Sequence, residues 1–221
     1  MENNIIDTDF KKNKYKIVKN FISKELAFFL FSYLFLKRNV HHTLIERKQI
    51  PPFSEYFGTY DDHQIPYTYA NYGDVAMDNL LFLCKGKVEK IMGKDLVETY
   101  SYCRMYKKGD ELKRHKDRPS CESSVTLNLG GDDWPIYLSP TENVGVPDGK
   151  DITIESDAKG IKVDLEPGDA LFYMGCELEH WREPFQGQHC GQVFLHYADA
   201  KHKDRLYDGR PHLGLPGNLR V

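Results

Sequence analysis

Across its second half the chain repeats one pattern: short runs in which apolar and polar residues alternate, separated by Gly, Pro, Asp and Ser. From Leu96 the runs "LVETYSYCRMY", "ELKRHKD" and "SSVTLNL" alternate residue by residue, and "WPIYL", "ITIES", "GIKVDLE", "ALFYMG", "ELEHWRE" and "QVFLHY" follow at close spacing. Successive side chains of a strand point to opposite faces, so a period of two marks strands. No helical period intervenes, and parallel strands need long crossovers that are usually helical. Residues 96–199 are therefore predicted to form an antiparallel sandwich or barrel, followed by a tail over 200–221.

Residues 1–95 read differently. Ser23 is placed to cap a helix, Glu25 lies in the first turn where the helix dipole favours an acid, and an apolar run extends to about Leu36. A second helix follows Asp74, with Met77, Leu81, Cys84, Val88 and Ile91 on one face, and ends near Gly93. Between them, residues 51–74 hold three prolines, two glycines and seven aromatics without a lasting period, which predicts a long irregular segment acting as a lid or peptide groove. The apolar run 26–36 is too short to span a bilayer. With 30 Lys+Arg against 33 Asp+Glu, no global field draws the chain to nucleic acid or to an anionic membrane. The five cysteines contain no CxxC pair and no signal peptide is recognisable, so reduced thiols in a cytoplasmic protein are expected.

The chemistry concentrates in "RMYKKGDELKRHKDRP", residues 104–119. On a strand His115 and Asp117 share a face, and Arg114 and Lys116 point to the other, predicted to be solvated. An imidazole and a carboxylate together suit a divalent iron-group metal. His180, in "CELEHWRE", is a third ligand that a returning strand would bring alongside. Two histidines and a carboxylate leave coordination positions open, as in non-haem Fe(II) oxygenases. An HxD pair also recurs by chance, so a non-catalytic β-sandwich binding module stays open. A basic strip that contacts nucleic-acid phosphates stays open too, with the net charge of -3 against it.

Taken in order, "YKKGDELKRHKD", "SSVTLNL", "EPGDALFYMG" and "EHWREPFQG" resemble the Fe(II)/2-oxoglutarate-dependent dioxygenase superfamily, nearest its prolyl-4-hydroxylase-like branch of bacterial and phage type. "KYKIVKNFISKELAFFLFSYL" resembles that branch's N-terminal strand and helix, and the likeness covers most of residues 14–199. The resemblance implies an α+β, mainly β fold, a double-stranded β-helix (jelly roll) over 96–199. Residues 1–95 would support it with a strand, helices and the aromatic loop, all in one integrated domain. It implies Fe(II), 2-oxoglutarate as cosubstrate, dioxygen, and ascorbate as an auxiliary reductant. The implied reaction is hydroxylation of an unactivated C–H bond, first of a prolyl residue in a peptide or protein, second of a free amino acid or other small molecule. A nucleic-acid demethylase of the same superfamily is the alternative.

Carried over by residue, the resemblance makes His115, Asp117 and His180 the catalytic iron ligands and gives Tyr106 a hydrogen bond to 2-oxoglutarate. Thr126 and Asn128 lie on an inward face of the next strand and would line the same pocket. The chain departs from the pattern beyond His180: where relatives carry an Arg or Lys for the far carboxylate of 2-oxoglutarate, it has His189, Cys190 and Gly191, then Gln192. Arg182, on the face of His180, is the expected substitute, with Arg104 second and the neutral set Tyr106, Asn128 and Gln192 third. Otherwise Arg182 forms an outer ion pair with Glu179 or Glu183.

Overall fold

The alternating segments close into two antiparallel sheets that face each other. The computed structural model describes residues 10–52, 54–139, 152–153 and 159–220. One sheet has six strands in the order β1 (Tyr15–Val18), β9 (Ala170–Tyr173), β5 (Ser123–Gly131), β11 (His189–Asp199), β3 (Leu96–Lys107) and β2 (Tyr69–Tyr72). The other has five: β7 (Ile152–Thr153), β4 (Leu112–Lys116), β10 (Glu179–Arg182), β6 (Ile136–Ser139) and β8 (Ile161–Val163). The fold is mainly β, an antiparallel jelly roll of the double-stranded β-helix kind.

Helices α2 (Lys24–Glu46) and α3 (Val75–Met92) cover the outer face of the six-stranded sheet, and a short α1 (Phe10–Asn13) precedes β1. Ser23 Oγ accepts from Leu26 N–H at the start of α2, Asp74 accepts from Ala76 and Met77 N–H at the start of α3, and Gly93 ends α3 in the left-handed region at φ 69°. Ala27, Leu30 and Leu34 of α2 and Met77, Leu81 and Val88 of α3 form one core with Val125, Leu127 and Leu129 of β5 and Val193 and Leu195 of β11. The apolar side of each alternating strand is therefore spent on the helices. The other side, with Thr126, Asn128, Gln192 and His196, faces the space between the sheets, where chemistry can be placed.

Three elements depart from expectation. Helix α2 runs ten residues past Leu36, because "KRNVHHTLIE" contains no breaker and His41 continues the buried face. Strand β2 lies in the segment predicted to be irregular; its first three residues are buried, so no alternation marks it. Of "ITIES", Ile152 and Thr153 pair with β4 and the remainder lies outside the described residues. Among the described residues no helix is long and apolar enough to cross a membrane.

Candidate metal centre

Strands β4 and β10 pair with His180 opposite His115, which brings the two imidazoles to 4.2 Å between ring centres. Asp117 follows β4, and its N–H donates to Gly175 C=O at 2.9 Å. Its Oδ1 lies 3.6 Å from His115 Nε2 and 3.4 Å from His180 Nε2, and all three residues are buried. Each ring's Nδ1 is taken by the carbonyl two residues earlier: His115 with Lys113 C=O at 2.8 Å and His180 with Leu178 C=O at 3.0 Å. A ring that donates through Nδ1 keeps a lone pair on Nε2, so both rings turn a ligand nitrogen to one point.

The electrostatics suit a cation. Burial, reinforced by the neighbouring His180, lowers the His115 pKa to about 3, leaving it neutral at pH 7. Burial alone would raise Asp117, but attraction to His180 and then His115 outweighs it and holds the carboxyl well below its usual range. Two imidazoles and one carboxylate are the donor set of an open Fe(II) site, and the residues fit that metal.

The opposite face of β4 is not solvated as predicted. Arg114 pairs with Glu179 at 3.0 Å and lies 3.6 Å over the Trp181 ring, and Lys116 is buried among Glu179, Glu177 and Cys176. β4 is an inner strand, between β7 and β10, so long side chains of neighbouring segments cover it.

A cavity of about 630 Å³ opens onto the three ligands, walled by Tyr72, Tyr100, Tyr102, Phe194 and His196. Two anchors of this cavity escape sequence reasoning. Asp62, in the aromatic loop, accepts from Arg104 Nη2 at 2.5 Å, from Arg104 Nε at 3.2 Å and from the Tyr102 hydroxyl, pinning the loop to β3. Asp208 accepts from Arg118 twice (2.9 and 2.7 Å), Ser120 Oγ (2.6 Å), Tyr72 O–H (2.7 Å) and Arg220 (2.7 Å). It sits in a turn where Tyr207 and Asp208 both have left-handed φ, 54° and 55°. The segment expected to be a tail thus builds one cavity wall.

The predicted cosubstrate residues divide. Arg182 enters the inter-sheet space from the five-stranded sheet, 1% exposed, donating to Trp134 C=O and, at 3.3 Å, to Gln192 Oε1. Among the described residues it has no carboxylate partner: Glu179 is engaged by Arg114, and Glu183 Oε1 accepts from Trp181 Nε1 at 3.0 Å. Arg182 Nε is buried without a hydrogen-bond partner, and the buried Tyr106 hydroxyl faces Arg104, itself a donor, so its own hydrogen has no acceptor. Gln192 Nε2 donates to Asn128 Oδ1 at 3.3 Å, and Thr126 Oγ1 lies 3.4 Å from the Tyr173 hydroxyl. Arg104 borders the cavity and is engaged by Asp62. His189 turns toward α2, its ring 5.4 Å from Phe35.

No protein-family model matches this chain, and no curated protein does. Solved structures do share its shape. A prolyl-4-hydroxylase from Pseudomonas putida superposes at a TM-score of 0.56 with 15% identity, over 86% of this chain and 95% of that one. The non-haem α-ketoglutarate-dependent epimerase SnoN of nogalamycin biosynthesis superposes at 0.60 with 13% identity, over 87% and 81%. HygX from Streptomyces hygroscopicus, solved with nickel and 2-oxoglutarate, superposes at 0.55 with 12% identity, over 86% and 85%. The fold is the one these three proteins share.

Proposed function

We propose that this protein is an Fe(II)- and 2-oxoglutarate-dependent dioxygenase whose iron is held by His115, Asp117 and His180. The observation that carries the reading is the convergence of two Nε2 atoms and one carboxylate oxygen, each imidazole oriented by a backbone carbonyl at its Nδ1. Bound there, Fe(II) would supply the redox chemistry that couples oxidative decarboxylation of 2-oxoglutarate by dioxygen to hydroxylation of a C–H bond. Ascorbate would serve to keep the iron reduced.

The chain's own groups do the rest. Arg182 takes the far carboxylate of 2-oxoglutarate, helped by the Tyr106 hydroxyl: Arg182 Nε lacks an acceptor, and a buried guanidinium without an anion calls for one. Gln192 and Asn128 orient the guanidinium, the Tyr173 ring packs 4.8 Å from His180 with Thr126 Oγ1 beside its hydroxyl, and Arg104 holds the aromatic loop. The aromatic wall excludes water and packs the prime substrate.

That substrate is a prolyl residue of a peptide or protein, as the likeness to a prolyl-4-hydroxylase suggests, in a cytoplasmic setting. The likeness to an epimerase of nogalamycin biosynthesis keeps a small molecule as the second reading. The test is succinate formation from 2-oxoglutarate with Fe(II), with and without a panel of proline-containing peptides. Stimulation by a peptide supports the first reading; metal-dependent turnover that no peptide stimulates supports the second. No succinate above background under any condition would overturn the dioxygenase assignment.

A further inference from the structure

Asp117 has two carboxylate oxygens, and the fold treats them differently. Oδ1 faces the two imidazoles, 3.6 and 3.4 Å from their Nε2 atoms. Oδ2 meets Ser124 Oγ at 3.1 Å and lies against Gly175, where an added Cβ would come within 2.2 Å of it. Ser124 Oγ has two further neighbours, Cys121 C=O at 3.0 Å and His196 Nδ1 at 2.9 Å.

A hydroxyl has one proton to give, and an ionised carboxylate is the strongest acceptor of the three. With that proton directed to Asp117, the contact to His196 is a hydrogen bond when Nδ1 carries the hydrogen and Ser124 accepts it. The His196 ring is fixed for this role between Tyr100, 4.7 Å away, and Phe194, 6.4 Å away and nearly parallel.

We propose that Ser124 and His196 form a relay, His196 Nδ1–H to Ser124 Oγ and Ser124 O–H to Asp117 Oδ2, that holds Asp117 as a one-oxygen metal ligand. The relay rests on the reading of His115, Asp117 and His180 as the metal centre. A carboxylate free to turn can chelate through both oxygens and fill a coordination position that cosubstrate or dioxygen needs. Hydrogen-bonded at Oδ2 and wedged against Gly175, this one is kept from turning. Ser124 and His196 act through Asp117, so they are positioning residues.

The test is Mn(II) affinity, read from the electron paramagnetic resonance signal of the free ion in the absence of any substrate. Ser124→Ala and His196→Phe, which keep the shape of the wall, should each weaken binding about 10- to 100-fold. His196→Asn, whose side-chain N–H falls near the place of Nδ1, should bind within about threefold of wild type, a rescue that a merely space-filling role would not produce. Metal-free melting temperatures report any loss of fold separately. Unchanged Mn(II) affinity in folded Ser124→Ala, or equal losses in His196→Phe and His196→Asn, would overturn the relay. A wild-type protein that takes up no Mn(II) would overturn the metal-centre reading itself, and the relay with it.

Discussion

Arg182 shows how one residue separates stability from function. A guanidinium enclosed by protein without a carboxylate loses hydration that its contacts with Trp134 and Gln192 only partly replace, and replacing such a charge by an apolar side chain of similar size is commonly neutral or stabilising. Arg182→Met should therefore leave the metal-free melting temperature unchanged or higher while raising the KM for 2-oxoglutarate by about tenfold or more, and Arg182→Lys should raise it less. A melting curve and a KM measurement on the same preparations check both signs; a destabilised Arg182→Met with normal KM would make the residue structural. His115→Ala or His180→Ala should abolish metal uptake while leaving the far-ultraviolet circular dichroism near that of wild type. At this scale the sequence was legible where a local rule applied. The spacing of His115, on β4, and Asp117, one residue past its end, turns both toward one point, and Arg182 follows His180 along β10 at the same spacing. Asp62 and Asp208 were not legible, because Arg104 lies 42 residues from the first, Arg118 and Arg220 lie 90 and 12 from the second, and no periodicity links them.

At the scale of elements, the turn at Tyr207 and Asp208 carries weight out of proportion to its length. Two consecutive non-glycine residues in the left-handed region cost of order 1 kcal/mol each, and the hydrogen bonds that Asp208 accepts from Arg118, Ser120, Tyr72 and Arg220 hold them there. Asp208→Asn suits a test, since asparagine tolerates this backbone while it removes the charge and turns one acceptor oxygen into a donor that faces other donors. It should cost roughly 2–4 kcal/mol in denaturant unfolding and raise the KM for the prime substrate, whose wall it supports, with little change in that for 2-oxoglutarate. Helix and strand positions were read from period and one cap: Ser23 caps α2 as expected, and α3 follows Asp74 and ends at Gly93 where its stripe predicts. Strand β2 was hidden because its burial leaves no alternation to detect, and α2 was cut short where its apolar run gives way to polar residues that still form helix.

Over the whole molecule, buried histidines set the response to acid. His41 is fully buried against Tyr60 and Tyr69, both ring nitrogens lack hydrogen bonds, and burial, then Lys37, lowers its pKa. Burial also lowers His115 to about 3 and His196 to about 4. Each binds a proton less readily folded than unfolded, so stability should be flat above the ordinary histidine range, near pH 6.5, and fall as pH drops from there toward the folded values. Melting temperatures of metal-free protein from pH 7.5 to 4.5 check this, and His41→Phe should make the fall shallower. A flat profile would show that these rings gain protons without cost.

The proposed activity depends above all on His115, Asp117 and His180 holding a metal to which 2-oxoglutarate binds with Arg182 at its far end. Calorimetric titration of 2-oxoglutarate into Mn(II)-loaded protein under inert gas tests it without any prime substrate. One site per chain is expected, lost in EDTA and in His180→Ala, and weakened at least tenfold in Arg182→Met; binding that persists in EDTA, or no binding to the Mn(II)-loaded wild type, would contradict this.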